Sequence, residues 1–290
     1  MIGRVATFSQ SLYLLNQSLG TQAKLADAQA QTASGLKSAT FGGLGVSAGA
    51  LTRQQTAYET VTAQSAGATG ALTVLQQSWS ALGTITDLTD TMATTLASAV
   101  SANDATDLAA TAQGWLSDLQ SILNNQFSDQ SLFAGTATDA TAVNLTDYVS
   151  GAAASYYAGS SDERVFTASD GQTVALSANA GDPAIARLVD ALKGLINGMS
   201  DAATALDGVQ TAASGVADLQ AGLSAGATRL QAIADRADAK ASALSDLIST
   251  LKDADLAEVS VLATQYETQL QTAYSTLNML MSVKLSDYLR

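Results

Sequence analysis

The most regular hydrophobic patterning lies at the two ends of the chain. Val5, Phe8, Leu12, Leu15 and Leu19 advance in alternating steps of three and four, and Ala26, Ala33 and Leu36 extend the row weakly past Gln22 and Gln29. Residues so spaced share one face of a helix and form the seam of a coiled coil. Towards the other end, Val259, Ala263, Tyr266, Leu270, Ala273, Leu277, Leu280 and Lys284 alternate steps of four and three. Leu230, Ile233, Ala237, Leu244, Leu247 and Leu251 occupy similar rows upstream. Heptads sustained this long predict a coiled coil.

Between the ends the pattern changes twice. Ser34-Gly35 is a stop signal, since glycine takes the left-handed conformation that closes helices. Residues 38–50, with Phe41-Gly42-Gly43-Leu44-Gly45, read as a loop. Helical spacing resumes from about Ala50 to Ser101, through Leu72, Leu75, Trp79, Leu82, Ile85, Leu88, Met92 and Leu96. Asn103-Asp104 suits a cap, and Ala105 to Asn125 reads as a further helix with Leu108, Trp115, Leu119 and Ile122 on one face. From Gln130 to Gly181 the helical period fades. Arg164–Thr167 and Gln172–Leu176 alternate like strands about Ser169-Asp170-Gly171, a hairpin-turn signal. Pro183 then sits near the start of a helix, where its missing N–H costs nothing. Leu206 to Leu223 is rich in Ala and Gly and weakly patterned.

The expected fold is mainly α: a long antiparallel coiled-coil helical bundle built from both termini, with a small central β-rich insert. The expected divisions are an N-terminal coiled-coil helix and Gly-rich loop over 1–50, inner helices over 51–129, the β-rich outer insert over 130–182, a returning helical region over 183–228 and a C-terminal coiled-coil helix over 229–290.

Composition narrows the chemistry. The 290 residues contain no His and no Cys, so imidazole-ligated metals, zinc fingers, Ser–His–Asp or Cys–His catalysis and disulfides are excluded. Thirteen Lys and Arg against 26 Asp and Glu leave a net charge of −13, and no basic residue falls between Arg53 and Arg164. Nucleic acid, which needs a basic patch, is not an expected partner. The start of the chain has no apolar leader core, and the uncharged stretch from Val61 to Thr86 is too rich in Thr, Gln, Ser and Gly to span a bilayer. A fifth of the chain is alanine (57 residues), which suits helices that approach closely more than a bulky core.

No motif for cofactor or metal survives its context. Gly43-Leu44-Gly45-Val46-Ser47-Ala48 follows a helix, whereas a dinucleotide turn must follow a strand. Asp253, Asp255 and Glu258 lack the spacing of a calcium loop and instead place negative charge at a helix N-terminus. Trp79 and Trp115 lie on apolar helical faces and are expected in the core. No catalytic residue, cofactor or metal is expected, and the chain is not expected to be an enzyme.

Chain ends ordinarily fray, yet here they carry the clearest seams. They can close a helical bundle within one chain, or finish their burial against neighbouring subunits. Identical subunits whose contacts do not close on themselves form helical filaments. The candidate interface residues are Val5, Phe8, Leu12, Leu15, Leu19, Val259, Tyr266, Leu270, Leu277 and Leu280.

Several segments carry a family likeness. Asp253-Ala254-Asp255-Leu256-Ala257-Glu258-Val259, Gln269–Tyr274 and the ending Leu285-Ser286-Asp287-Tyr288-Leu289-Arg290 resemble the acidic opening and C-terminal signature of the bacterial flagellin family. Gln29–Leu36 is similar to that family's first-helix end. The family includes filament flagellins and the hook–filament junction protein. Ser131-Leu132-Phe133-Ala134-Gly135-Thr136, with Tyr157-Ala158-Gly159 and Asn179-Ala180-Gly181, is similar to the junction-protein order. Thr40–Gly45 departs from the acidic pair usual after the first helix, and the family's Ile-Asn-Thr-Asn start is missing.

The resemblance implies a structural axial component of the flagellum, outside the cell and exported without a cleaved leader. Its partners would be itself, other axial proteins such as hook-associated proteins and flagellin, and a cytoplasmic chaperone on the C-terminal helix. It favours the junction protein over a filament flagellin. Outside the family, a coiled-coil adaptor or a type III translocator is the competing reading.

Overall fold

The computed structural model describes residues 2–145, 148 and 156–286, with side chains from residue 9 to residue 279 within those ranges. The order of elements is α1 (Ile2–Ser34), a 3-10 turn (Phe41–Leu44), α2 (Ser47–Ala102), α3 (Leu108–Leu123), β1 (Gln126–Phe127), β2 (Gln130–Ser131), β3 (Val165–Thr167), β4 (Thr173–Ala175), α4 (Pro183–Ile196), α5 (Ala202–Lys252) and α6 (Leu256–Ser286). The fold is mainly α, with two small antiparallel hairpins in the middle of the chain. It divides into two compact units, residues 1–59 with 241–290, and residues 60–240. The long helices α2 and α5 contribute to both.

The second unit holds most of the core. Along α2 the buried positions are Leu75, Ser78, Leu82, Ile85, Thr89, Met92 and Leu96, and along α5 they are Ala205, Val209, Ala212, Val216, Leu223, Gly226, Leu230, Ile233 and Ala237. Both series run in steps of three and four, the α5 series with half-buried Leu219 between Val216 and Leu223, so each helix offers one continuous seam. The two helices are antiparallel: the Ser65 hydroxyl donates to Asp238 at 2.5 Å and the Thr86 hydroxyl to Gln220 at 3.2 Å. The weak patterning of Leu206–Leu223 thus conceals a regular heptad row made of small residues, where Ala scores as neither clearly apolar nor polar. Small size is what the packing uses. A Cβ on Gly215 would lie 2.6 Å from the Ala184 methyl group of α4, so that crossing excludes even alanine.

The α2 seam corrects one expectation. Trp115 is buried, but Trp79 is 47% exposed and its neighbour Ser78 is fully buried. Ser78 tolerates this because its hydroxyl donates to the Val74 carbonyl at 3.2 Å, one turn back. The departure is local: Leu75, Leu82, Ile85, Met92 and Leu96 on the predicted line are buried, and at Trp79 alone the seam passes through the preceding residue.

Local signals behave as their chemistry dictates. Gly35 follows α1 at φ +71°. Asn103 closes α2 in the left-handed region at φ 48°, and the Asp104 carboxylate accepts from the Thr106 hydroxyl at 2.5 Å and the Thr106 amide at 2.9 Å, which together hold its pKa below the usual carboxylate range. Pro183 opens α4 behind Asp182, whose carboxylate accepts from the Ala184 amide. β3 and β4 pair with Phe166 opposite Val174, around a turn in which Gly171 has φ +82° and Asp170 accepts from the Gln172 amide. The β1–β2 hairpin is new. Ser128 and Asp129 both have positive φ, a type I′ turn built without the Asn-Gly pair that announces one.

Candidate assembly interface

α1 and α6 pack along each other in the first unit. On α6 the inward positions are Val259, Ala263, Tyr266, Leu270, Ala273 and Leu277, with Val259 and Leu270 the most buried. This is the heptad row that the sequence marks. On α1 the row is displaced. The inward positions are Ser11, Leu14, Ser18, Thr21, Leu25 and Ala28. Leu12, Leu15 and Leu19, the predicted seam, are each one residue further round and 44%, 46% and 54% exposed. Tyr13, at 66%, is beside them. The side chains of Val5, Phe8 and Leu280 lie outside the described residues.

The displacement has a physical cause. Ser18 and Thr21 donate their hydroxyls to the Leu14 and Gln17 carbonyls, at 2.8 and 2.9 Å, so they enter the seam without orphaned polar groups. Ser, Thr and Ala are small, so α6 can approach α1 closely. The leucines are left on the flank. Further round, α6 also exposes Val261 at 68% and Met279 at 69%. Of the ten predicted interface residues, the structure places Val259, Tyr266, Leu270 and Leu277 inside the α1–α6 pair and Leu12, Leu15 and Leu19 outside it. The predicted α1 seam and the phase that buries α1 are therefore different faces of one helix.

The open end of the pair is fixed by three chain segments. The Lys37 amide donates to the Lys252 carbonyl at 2.8 Å and the Ala254 amide to the Gly35 carbonyl at 2.9 Å. The Lys37 ammonium donates to the Thr250 carbonyl in the last turn of α5, where a cation suits the helix dipole. Asp255 caps α6, accepting from the Ala257 amide at 3.0 Å and the Glu258 amide at 3.2 Å, and Glu258 stands in the first turn. The acidic segment 253–258 is thus a helix start and its carboxylates serve the cap.

The second unit contains a further set of sequence-marked residues. Phe133 and Ala134 are fully buried. The Ala180 amide donates to the Phe133 carbonyl at 3.0 Å, the Ser160 amide to the Ala134 carbonyl at 2.9 Å and the Thr136 amide to the Asp162 carbonyl at 3.1 Å. Gly135 has φ +63°, and a Cβ there would meet the Ser160 and Asp162 carbonyl oxygens at 2.4 and 2.5 Å. The Tyr157 hydroxyl donates to the Ser160 carbonyl at 2.6 Å, and the Asn179 amide donates to that same oxygen at 2.8 Å. The motifs at 131–136, 157–159 and 179–181 therefore meet in one knot of backbone hydrogen bonds. Beside it, Tyr156 donates to the Ala180 carbonyl at 3.0 Å, and burial pushes its hydroxyl well above the ordinary tyrosine range.

Among the described residues no group of three or more acidic side chains is placed to hold a metal ion, and no helix is long and apolar enough to cross a membrane.

Residues 206–289 match the family model for the bacterial flagellin C-terminal helical region. A search of curated proteins returns no significant match. Among solved structures, one from Vibrio parahaemolyticus assigned as a flagellar hook-associated protein aligns with 71% of this chain and 95% of its own, at 17% identity and a TM-score of 0.46. FlgL of Bacillus cereus aligns with 70% of this chain and 96% of its own, at 13% identity and a TM-score of 0.41. Neither score carries a functional argument.

Proposed function

We infer that the chain, whose residues 206–289 form a bacterial flagellin C-terminal helical region, is a structural subunit of the bacterial flagellum. It acts by packing, with no catalytic chemistry, and it works outside the cell as an axial component. The observation that carries this reading is the unspent apolar face of α1. Leu12, Leu15 and Leu19 flank a seam that is already closed by small residues, so they serve contacts beyond the chain. Each is about half exposed, so completing its burial is worth about 1 kcal/mol, and the row together makes an association surface. In an axial array the occupants are the terminal helices of neighbouring copies and of other hook-associated proteins or flagellin. Val259, Tyr266, Leu270 and Leu277 hold α6 against α1 in the assembled subunit. Before assembly the same α6 face is the docking site for an export chaperone.

Within the flagellum, the Phe133–Thr136 segment favours the hook–filament junction role over a filament flagellin. Its resemblance to the junction-protein order lies on residues that build a buried knot, so it is a structural signature and not a surface coincidence.

Immunogold labelling of intact cells tests both levels. Label confined to the filament base is expected. Label along the whole filament makes the chain a filament subunit. Label nowhere on the flagellum overturns the flagellar reading and leaves the adaptor or translocator reading in its place. The packing of the terminal helices is tested by Leu277→Asp, which is expected to abolish assembly and motility; assembly and motility left intact would overturn it.

A further inference from the structure

The β3–β4 hairpin lies across α2 and α5 and leaves the outer edge of β4 open. Phe166 of β3 sits against α2 at Gly67, and Val174 of β4 sits against α5 at Gly226. A Cβ on Gly226 would stand 3.2 Å from the Val174 side chain and 3.5 Å from the Ala175 carbonyl oxygen, so glycine lets β4 settle directly on the helix.

Hydrogen-bonded and non-bonded residues alternate along an antiparallel pair. The Ala168 amide donates to the Gln172 carbonyl at 2.8 Å and the Leu176 amide to the Arg164 carbonyl at 2.9 Å, with Phe166 opposite Val174 between them. The intervening residues of β4, Thr173 and Ala175, therefore turn their N–H and C=O groups away from β3. Nothing among the described residues pairs with these groups. An unpaired strand edge is a template for a further strand.

A groove enclosing about 380 Å³ runs along this edge, between β4 with the segment after it and the outer flank of α5. Its floor on α5 is Leu219, Gly222, Ala225 and Gly226, small enough for another backbone to approach. On the strand side it is lined by Ser177, which is 5% exposed and whose hydroxyl has no hydrogen-bond partner among the described residues. Buried polar groups are ordinarily bonded, so this hydroxyl is spare capacity for a polar group that enters the groove.

Charge is divided between the two ends. Val174 lies at Gly226 and Ala184 at Gly215, so the chain from β4 to α4 runs against the direction of α5. Asp182 and Asp218 therefore stand at the Ser177 end of the groove. Glu163 belongs to the same end, because its neighbour Arg164 is bonded to Leu176. Arg229 stands at the Thr173 end, about three helical turns or roughly 16 Å from Asp218. Glu163, Asp218 and Arg229 are exposed, and among the described residues none has an oppositely charged partner.

We propose that this groove binds an extended peptide segment of another protein as a third strand, antiparallel to β4, with a basic side chain at Glu163, Asp182 and Asp218 and an acidic one at Arg229. Main-chain bonds to Thr173 and Ala175 supply the affinity, and the two charged ends set direction and register. At about 3.3 Å per residue the span takes about five residues, the basic one N-terminal and the acidic one C-terminal. The site lies wholly within residues 60–240, involves no contact between copies of the chain and does not depend on the flagellar reading.

The probe is the blocked pentapeptide acetyl-Lys-Thr-Val-Thr-Glu-amide, added at millimolar concentration to the full chain, and its control is the charge-reversed acetyl-Glu-Thr-Val-Thr-Lys-amide. The readout is amide hydrogen exchange by NMR. The Thr173 and Ala175 amides exchange freely in the free chain, and the Lys-first peptide is expected to slow both by at least about tenfold. The control peptide is expected to bind at least about tenfold more weakly. In the form E163K/D218K/R229E, which reverses three exposed side chains, that preference is expected to invert, with a circular dichroism melt to check folding. Unchanged exchange at Thr173 and Ala175 overturns the added strand, even if a peptide binds elsewhere or through charge alone. Equal slowing by the two peptides on the unaltered chain overturns the assigned direction, whether or not the altered form folds.

Discussion

The two units are built from the same helical geometry and reach opposite outcomes. Residues 60–240 bury Leu82, Ile85, Met92, Leu96, Leu119, Phe133, Leu188 and many more apolar side chains. Among the described residues, the buried apolar side chains of the unit made of 1–59 and 241–290 are Ala28, Leu51, Val259 and Leu270, none of them as completely enclosed. Yet the terminal segments carry the more regular heptads. Pattern and burial are therefore different properties. A heptad says which residues share a face, and the neighbour decides whether that face is covered. In the second unit the neighbour is within the chain. In the first it is covered on α6 and left bare along Leu12, Leu15 and Leu19.

The comparison predicts unequal sensitivity to core truncation. Leu82→Ala removes a fully buried side chain from a seam that cannot relax, and should cost about 3–5 kcal/mol in urea unfolding of the free subunit. Leu15→Ala should cost almost nothing in the same measurement. Equal losses at the two positions would break the comparison, because they would mean that α1 is already fully packed in the single chain.

A second test lies within the middle unit. Gly135→Ala puts a methyl group on a left-handed residue and against two carbonyl oxygens. The strain should cost about 2 kcal/mol or more and lower the melting temperature of the free subunit. A neutral Gly135→Ala would show that the 131–136, 157–159 and 179–181 knot is loose, and the middle unit would lose its claim to be self-sufficient.

How far the sequence announced this architecture depends on side-chain size. The α6 row from Val259 to Leu277, the Gly35 stop, the 164–176 hairpin and the Pro183 start were all legible, because each rests on a bulky apolar residue or on Gly and Pro chemistry. The phase of α1 and of α2 near Trp79 was not. There the buried positions are Ser18, Thr21 and Ser78, which hydropathy counts as polar. Their hydroxyls are satisfied inside the helix, a possibility that a hydrophobic pattern cannot encode. The α5 row registered at Leu230, Ile233 and Ala237, but its first half did not, for a related reason, since Ala205 and Ala212 help fill it by being small. The 128–129 turn was invisible because Ser and Asp replace Asn and Gly. The interface residues on α1 were found by the same signal that misplaced them: they are the bulky row, and bulk here points away from the chain's own partner.

Caps should matter less than cores, and unequally between the units. Asp255→Ala removes the acceptor for the Ala257 and Glu258 amides and should cost about 1 kcal/mol. The loss should appear as faster hydrogen exchange confined to the first turns of α6, because the joint at Gly35–Lys37 and Lys252–Ala254 still anchors the helix start. Exchange spreading along the whole of α6 would mean that the cap, and not packing against α1, holds the terminal pair together.

The smallest effect on the free subunit is the most informative. Leu12, Leu15 and Leu19 are about half exposed, so changing Leu15 and Leu19 together to Ser should alter unfolding stability by no more than about 0.5 kcal/mol. Incorporation into the flagellum, read by immunogold labelling, should nevertheless be lost. A residue that is nearly silent in the monomer and decisive in the assembly has its energetic partner in another chain. If the double substitution instead destabilised the free subunit by several kcal/mol, those leucines would be packed within the chain in solution, and the terminal unit would be as self-contained as the middle one. If it changed neither measurement, the bare face of α1 would be an ordinary apolar surface, and assembly would have to rest on the α6 seam.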